Sequence, residues 1–448
     1  MSTLDSSILN IANPTIAAEF AVSIDTVQWV VTSYMVAITA TLLLFGRLGD
    51  RVGGNKVYTA GFLLFAMGSW LCSISPSLEF LALSRVFQGI GASMLMATGI
   101  GIVSNTFPAG ERGKALGLTG TVVGIGSMAG PSLGGVLVTS FGWPTIFLIN
   151  VPIGVLGFML GWKYLPAETC GDGRHPFDFT GLVLFLSAVI SSVVLLSRLQ
   201  QFSTWLLLIP LGLFAGFYLL EKQVEHPLLD LALLRIPRVA CGNIQAACAY
   251  LSQTFPVFLL PFYFEKILHL LPSQSGLFMT VIPAAQAITA PLAGSLSDRI
   301  GSARLVSVAF VLMGSAHLAL STLSPNSSSW HIGTGLLLLG IGNGMFGSPN
   351  SSSIFAAIPR ERASYMGGVI ATVRNLSYAM GFASAASIFT CLFQTHASHH
   401  LPFADAFTRS LATTYRVAAT VALLGFLTSL RPAEGASRLP QNPVSPSS

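Results

Sequence analysis

Charge is what this sequence has least of. Asp, Glu, Lys and Arg together make up 9% of 448 residues, against about 25% in an ordinary soluble domain. So few charges cannot cover a soluble protein of this length, which excludes a soluble enzyme or binding domain. Cysteine is scarce and unpatterned. The five cysteines form no C-x-x-C pair, so neither a zinc site nor a disulfide framework is expected, and they read as small buried residues. No P-loop, no H-E-x-x-H and no complete G-x-S-x-G occurs, which leaves no enzyme signature and no sign of ATP-driven transport within the chain. No cleavable leader is expected ahead of the first motif. His396, His399 and His400 cluster in one loop and read as polar surface.

Long apolar runs and glycine fill the space that charge leaves. The mean hydropathy is +0.71, and 44 residues are glycine. Runs of spanning length fall near 27–46, 57–74, 79–105, 115–139, 144–164, 179–197, 203–220, 239–263, 275–295, 304–323, 332–356, 365–391 and 412–430. Each can cross a ~30 Å hydrocarbon core as a helix. Leu4 to Phe20 reads as part of a further span that is shortened at its start. The fold class predicted is therefore all-α and polytopic.

One charged segment occurs twice. Gly46-Arg-Leu-Gly-Asp50-Arg51-Val-Gly53-Gly-Asn-Lys56 returns as Gly294-Ser-Leu-Ser-Asp298-Arg299-Ile-Gly301-Ser-Ala-Arg304. Both copies lie between apolar runs, which implies two related halves. Their separation exceeds what two abutting six-helix halves allow at about 30 residues per helix and loop. Two extra helices, 179–197 and 203–220, account for the excess. The predicted organisation is a six-helix bundle over 1–165, two linking helices and a loop over 166–238, a second six-helix bundle over 239–430, and a disordered tail over 431–448. Parallel six-helix repeats are a transporter architecture. With the repeated turns placed in the cytoplasm, sixteen of the 22 Lys and Arg fall inside and three outside. That bias orients the chain with its C-terminus cytoplasmic.

Carboxylates are nearly absent from the apolar runs. Asp5, in Leu4-Asp5-Ser-Ser-Ile-Leu-Asn10-Ile-Ala-Asn13-Pro14, is the exception. An ionisable group in a span marks function by default, and a buried carboxyl suits proton coupling. Arg85 and Gln88 are three residues apart and share a helix face. The guanidinium requires a partner and can act on a nearby carboxyl. Gly126, Gly130 and Gly134 recur every four residues, beside Pro131 and Gly135, and form a stripe for close helix approach. Asp50, Arg51, Lys56, Asp298, Arg299 and Arg304 are candidates for a cytoplasmic gate made in one conformation only. Arg374 is the only basic residue well inside the apolar runs of the second half, so it is expected to face a cavity or a partner. Asn343 and Asn350, with Asn10, Asn13 and Gln88, complete the predicted substrate-cavity lining.

These motifs together resemble the major facilitator superfamily, and within it the fourteen-helix drug:proton antiporters of the EmrB/QacA type. The Leu4–Pro14 segment resembles the first-helix motif L-D-x-T-x-x-N-V-A-L-P, with Asn13 where leucine is usual. Gly46–Lys56 resembles the cytoplasmic turn motif, and Arg85–Gly91 the R-x-x-Q-G motif. Gly126–Gly135 resembles the antiporter motif, and Phe147-Leu-Ile-Asn150-Val-Pro152-Ile-Gly154 is also typical of the branch. Arg374-Asn-Leu-Ser-Tyr departs from the usual R-x-L-G. The resemblance implies proton-coupled export of small organic compounds across a cytoplasmic (inner) membrane, driven by the proton gradient with no cofactor and no metal. Asp5 would be the proton-linked acid, Arg85 its electrostatic partner, Gly130–Pro131 the antiporter helix, and Asp50 with Arg51 a latch. The implied partners are the lipid bilayer, protons and a small organic substrate, with room for a periplasmic adaptor and none for nucleic acid. Export of one native metabolite, lipid or siderophore, or a scaffold or sensor role without transport, are the competing expectations.

Overall fold

The computed structural model describes residues 1–106, 111–165, 178–197, 204–224, 231–359, 362–398 and 401–430. The predicted tail at 431–448, residues 166–177 of the predicted loop, and His399 and His400 lie outside the described residues, as do the side chains of Asp50 and Asp298. Helices account for nearly all of what is described. The first half holds α1 (Ser2–Glu19), α2 (Ile24–Val52), α3 (Gly54–Ser73), α4 (Leu78–Thr106), α5 (Arg112–Phe141), α6 (Pro144–Leu148) and α7 (Asn150–Tyr164). Next come α8 (Phe179–Ser197), a 3-10 turn (Thr204–Leu207), α9 (Leu208–Glu221) and the short α10 (Leu231–Leu234). The second half holds α11 (Pro237–Lys266), α12 (Pro272–Ile300), α13 (Ser302–Leu320), α14 (Ser329–Phe355), α15 (Ala363–Ser398) and α16 (Phe403–Ser429).

Among the described residues, 9 helices are long and apolar enough to cross a membrane by length and composition alone. Others carry more polar residues, which they bury: α1 buries Asp5, Asn10 and Asn13 against its neighbours. The apolar run at 144–164 is one span in the sequence and two helices in the structure. It breaks at Ile149, the C-cap of α6 and N-cap of α7. Pro152 has no N–H to offer the Leu148 carbonyl, so the ladder is interrupted there.

The repeated segment has the same local structure in both copies. Gly53 ends α2 with φ 102° and starts α3; Gly301 ends α12 with φ 90° and starts α13. Each donates its N–H back one turn, Gly53 to Gly49 and Gly301 to Ser297, both at 3.0 Å. A positive φ at this turn favours glycine over any residue with a Cβ.

The halves meet along α5 and α12, α1 and α11, and α2 and α15. The glycine stripe of α5 explains two of its contacts. Gly130 and Gly134 lie against Ser7 and Ile8 of α1. Around the helix, Pro131 and Gly135 press on Gly276, Pro272 and Ser273 of α12, where any added Cβ would collide with backbone. Hydrogen bonds cross the same seam, from Ser273 N to the Thr139 hydroxyl at 3.1 Å and between the Ser132 and Thr280 hydroxyls at 2.7 Å. The molecule is thus closed where α5 ends and α12 begins. Elsewhere, Gly124 of α5 and Gly367 and Gly368 of α15 are half-buried, and a Cβ on any of them would meet nothing within 4 Å.

Candidate functional site

Close packing of α2, α3 and α4 builds the floor of the site. A Cβ on Gly68 would sit 2.6 Å from the Gln88 Cα, one on Gly91 2.5 Å from the Phe65 nitrogen, and one on Gly89 2.8 Å from the Tyr34 carbonyl. Glycine at these three places lets the backbones approach. That approach brings Ser69, Tyr34, Arg85 and Gln88 to one point.

α1 delivers Asp5 to the same point. Asp5 is 2% exposed and Arg85 and Gln88 are 0%. Arg85 Nη1 donates to Asp5 Oδ2 at 2.6 Å. Gln88 Nε2 donates to Asp5 Oδ1 at 2.9 Å, and Asn150 Nδ2 of α7 donates to the same oxygen at 2.8 Å. Gln88 Nε2 also reaches the Ser69 hydroxyl at 2.7 Å. Arg85 is itself clamped: Nε donates to the Val30 carbonyl at 3.0 Å and Nη1 to Gln88 Oε1 at 2.5 Å. The Tyr34 ring lies 3.9 Å from its Cζ, a cation–π contact strengthened by the absence of water.

This arrangement stabilises a carboxylate. Three donors from α4 and α7 converge on two oxygens, as an ionised acid requires. Desolvating two opposite charges is tolerable only when both are paired and hydrogen-bonded. Two of these donors, the Gln88 and Asn150 amides, share Oδ1, while Oδ2 takes the charged Arg85 group alone.

The sequence paired Asp5 with Arg85 and assigned Gln88 to the cavity lining; the structure brings all three together, with Gln88 bonded to Asp5. It missed Asn150, whose amide closes the cage 145 residues from Asp5 in the chain. The available signal was its place as the one amide within an otherwise apolar run. The other predicted residues lie elsewhere. Asn10 donates along its own helix to Ser6 O at 3.1 Å, and Asn13 is fully buried with neither amide atom bonded among the described residues. Asn350 donates to the Gly242 carbonyl at 3.1 Å and ties α14 to α11. Asn343 is buried with both amide atoms unbonded among the described residues. Arg374 is half-buried on α15. Arg51, Lys56, Arg299 and Arg304 are exposed beside the two repeated turns. Among the described residues no group of His, Cys, Asp or Glu has the arrangement to hold a metal ion.

Comparison with known proteins places this geometry in a wider set. The family model described as "Major Facilitator Superfamily" matches residues 1–382 and 242–444. The chain is 44% identical over 432 residues to the riboflavin transporter RibZ of Clostridioides difficile, covering 95% of this chain and 93% of that protein. It is 32% identical over 412 residues to the multidrug resistance protein Stp of Mycobacterium tuberculosis, covering 90% of this chain and 76% of that one. Among solved structures, a bacterial homolog of the human lysosomal transporter Spinster, in an inward-facing and unoccupied conformation, superposes with a TM-score of 0.70 at 14% identity, over 95% of this chain and 94% of that one.

Proposed function

This chain belongs to the Major Facilitator Superfamily, a family of transporters and not of enzymes, and from that premise we propose that it exports small organic compounds in exchange for protons by alternating access. The observation that carries the proposal is the Asp5 carboxylate, buried and held by Arg85, Gln88 and Asn150. In the proposed cycle Asp5 takes a proton from outside, which loosens the cage. It releases the proton inside, which restores the cage as solute loads. The Gly126–Gly135 stripe closes one gate against α12. The turns bearing Asp50, Arg51 and Lys56, and Asp298, Arg299 and Arg304, bias the equilibrium at the other.

The same reading takes 1–165 and 239–430 as two six-helix bundles, with α8 and α9 linking them as in the fourteen-helix antiporters. The fourteen helices of 14 residues or more among the described residues support it. The Lys and Arg bias supports a cytoplasmic membrane with both repeated turns and the C-terminus inside.

The test is Asp5→Asn in proteoliposomes. Proton-driven solute accumulation should vanish while membrane insertion and passive solute exchange persist. Accumulation that survives the substitution, or that ignores an uncoupler, would reject the proposal.

A second reading, carriage of one native metabolite, is favoured by the 44% identity to a riboflavin transporter over nearly the whole chain. Riboflavin uptake or release that competes with no drug-like dye would select it over broad efflux.

A further inference from the structure

We infer that the second half seats a planar aromatic solute with an acceptor-rich edge, a carboxylate or ring carbonyls, and that Arg374 holds that edge. The inference rests on the transport reading above and narrows its substrate class.

Three rings from three helices form a wall. Tyr250 of α11 lies edge-on to Phe346 of α14 at 6.0 Å and 89°, and to Tyr378 of α15 at 5.4 Å and 72°. Phe346 is buried against Phe310 and backs the wall, while Tyr250 and Tyr378 are partly exposed and offer faces and edges to a flat ligand. Arg374 sits one turn before Tyr378 on the same helix face. It is half-buried and has neither a hydrogen bond nor an ion pair among the described residues. A guanidinium stays charged in a protein and needs acceptors.

Asn343 lies one turn before Phe346. It is 5% exposed, and neither its amide oxygen nor its nitrogen is bonded among the described residues. A buried amide left unpaired is costly, so it too calls for a polar partner. Space is present: Gly347, next to Phe346, is half-buried and a Cβ there would meet nothing within 4 Å.

Charge decides the class. α14 and α15 contain no Asp or Glu, and α11 has only Glu265 near its far end. Asp5 is already engaged by three donors. A permanent cation would meet an unneutralised guanidinium and no free carboxylate beside the wall. A carboxylate or a pair of ring carbonyls would meet a planar fork of donors.

The test is fluorescence titration of the full-length chain in nanodiscs with riboflavin, anthracene-9-carboxylate and ethidium. The first two should bind saturably, and ethidium about tenfold more weakly or worse. Arg374→Gln should weaken the first two by about tenfold, the loss of a charge-assisted bond, and erase the preference over ethidium. Arg374→Lys should keep the preference with part of the affinity, which guards against a folding defect in the Gln variant. Asn343→Leu should weaken binding less. Asp5→Asn should still bind, so failure of proton coupling and failure of this inference are read separately. Ethidium binding as tight as riboflavin, no saturable binding of either acceptor probe, or Arg374→Gln affinity within about twofold of the parent would each overturn it.

Discussion

In the first half, the buried arginine is surrounded. Arg85 touches a carboxylate, an amide, a backbone carbonyl and an aromatic face, and each contact comes from a named helix. In the second half, Arg374 lies one turn from Tyr378, with no carboxylate on its own helix or on α14. The halves share a repeated turn down to the sign of φ at Gly53 and Gly301. They do not share the chemistry at their centres. An internal repeat preserves the scaffold because helix ends and turns obey local rules, while the groups between helices are free to diverge. On our reading, one half moves the proton and the other receives the solute.

The largest expected effect breaks the comparison directly. Arg85→Leu leaves the Asp5 charge buried and unpaired, which should cost about 3–5 kcal/mol and lower the unfolding temperature in detergent. Adding Asp5→Leu should restore most of that stability without restoring transport. Arg374→Leu should cost little, since no paired charge is left behind. An equal loss of stability in both single variants would end the distinction.

Next in size is the α5–α12 seam. Gly135→Val drives a side chain into the Pro272 backbone and should cost about 1–3 kcal/mol in the closed form. Cysteines introduced at Thr139 and Ser273 should then cross-link less than in the parent. Unchanged cross-linking would mean that the stripe does not hold the halves together.

Asn150→Leu removes one of three donors to Asp5 and should cost about 1–3 kcal/mol, with slower proton-driven transport and normal solute binding. The smallest effect is expected at Gly347→Ala in the second half. Its Cβ would enter open space, and helix propensity alone predicts a gain of up to about 1 kcal/mol. A clear loss of stability there would show that the wall has no cleft beside it.

Much of the fold was legible because its cues are local. Run lengths marked the helices, and glycine and charge marked the turns at Gly53 and Gly301. The boundary at Ile149 was not visible, since hydropathy is continuous from 144 to 164 and only Pro152 hints at a break. The candidate site was half legible. Asp5, Arg85 and Gln88 stand out as polar groups in apolar surroundings. The part of Asn150 did not, because an amide in a span can equally donate along its own helix, as Asn10 does to the Ser6 carbonyl. The Asn350 contact was equally illegible, since its amide nitrogen binds an α11 carbonyl 108 residues away.

What the sequence alone determined is the set of helices, their order and the two related turns. Apolar length, backbone hydrogen bonding and glycine's access to positive φ act within a few residues of one another. What only the tertiary structure decided is which face meets which: that Asp5 of α1 would find Asn150 of α7, and that Pro131 and Gly135 of α5 would press on α12 while Gly130 and Gly134 meet α1. Those contacts join residues far apart in the chain. They depend on how closely whole helices can approach, a property of the packed molecule that no local pattern encodes.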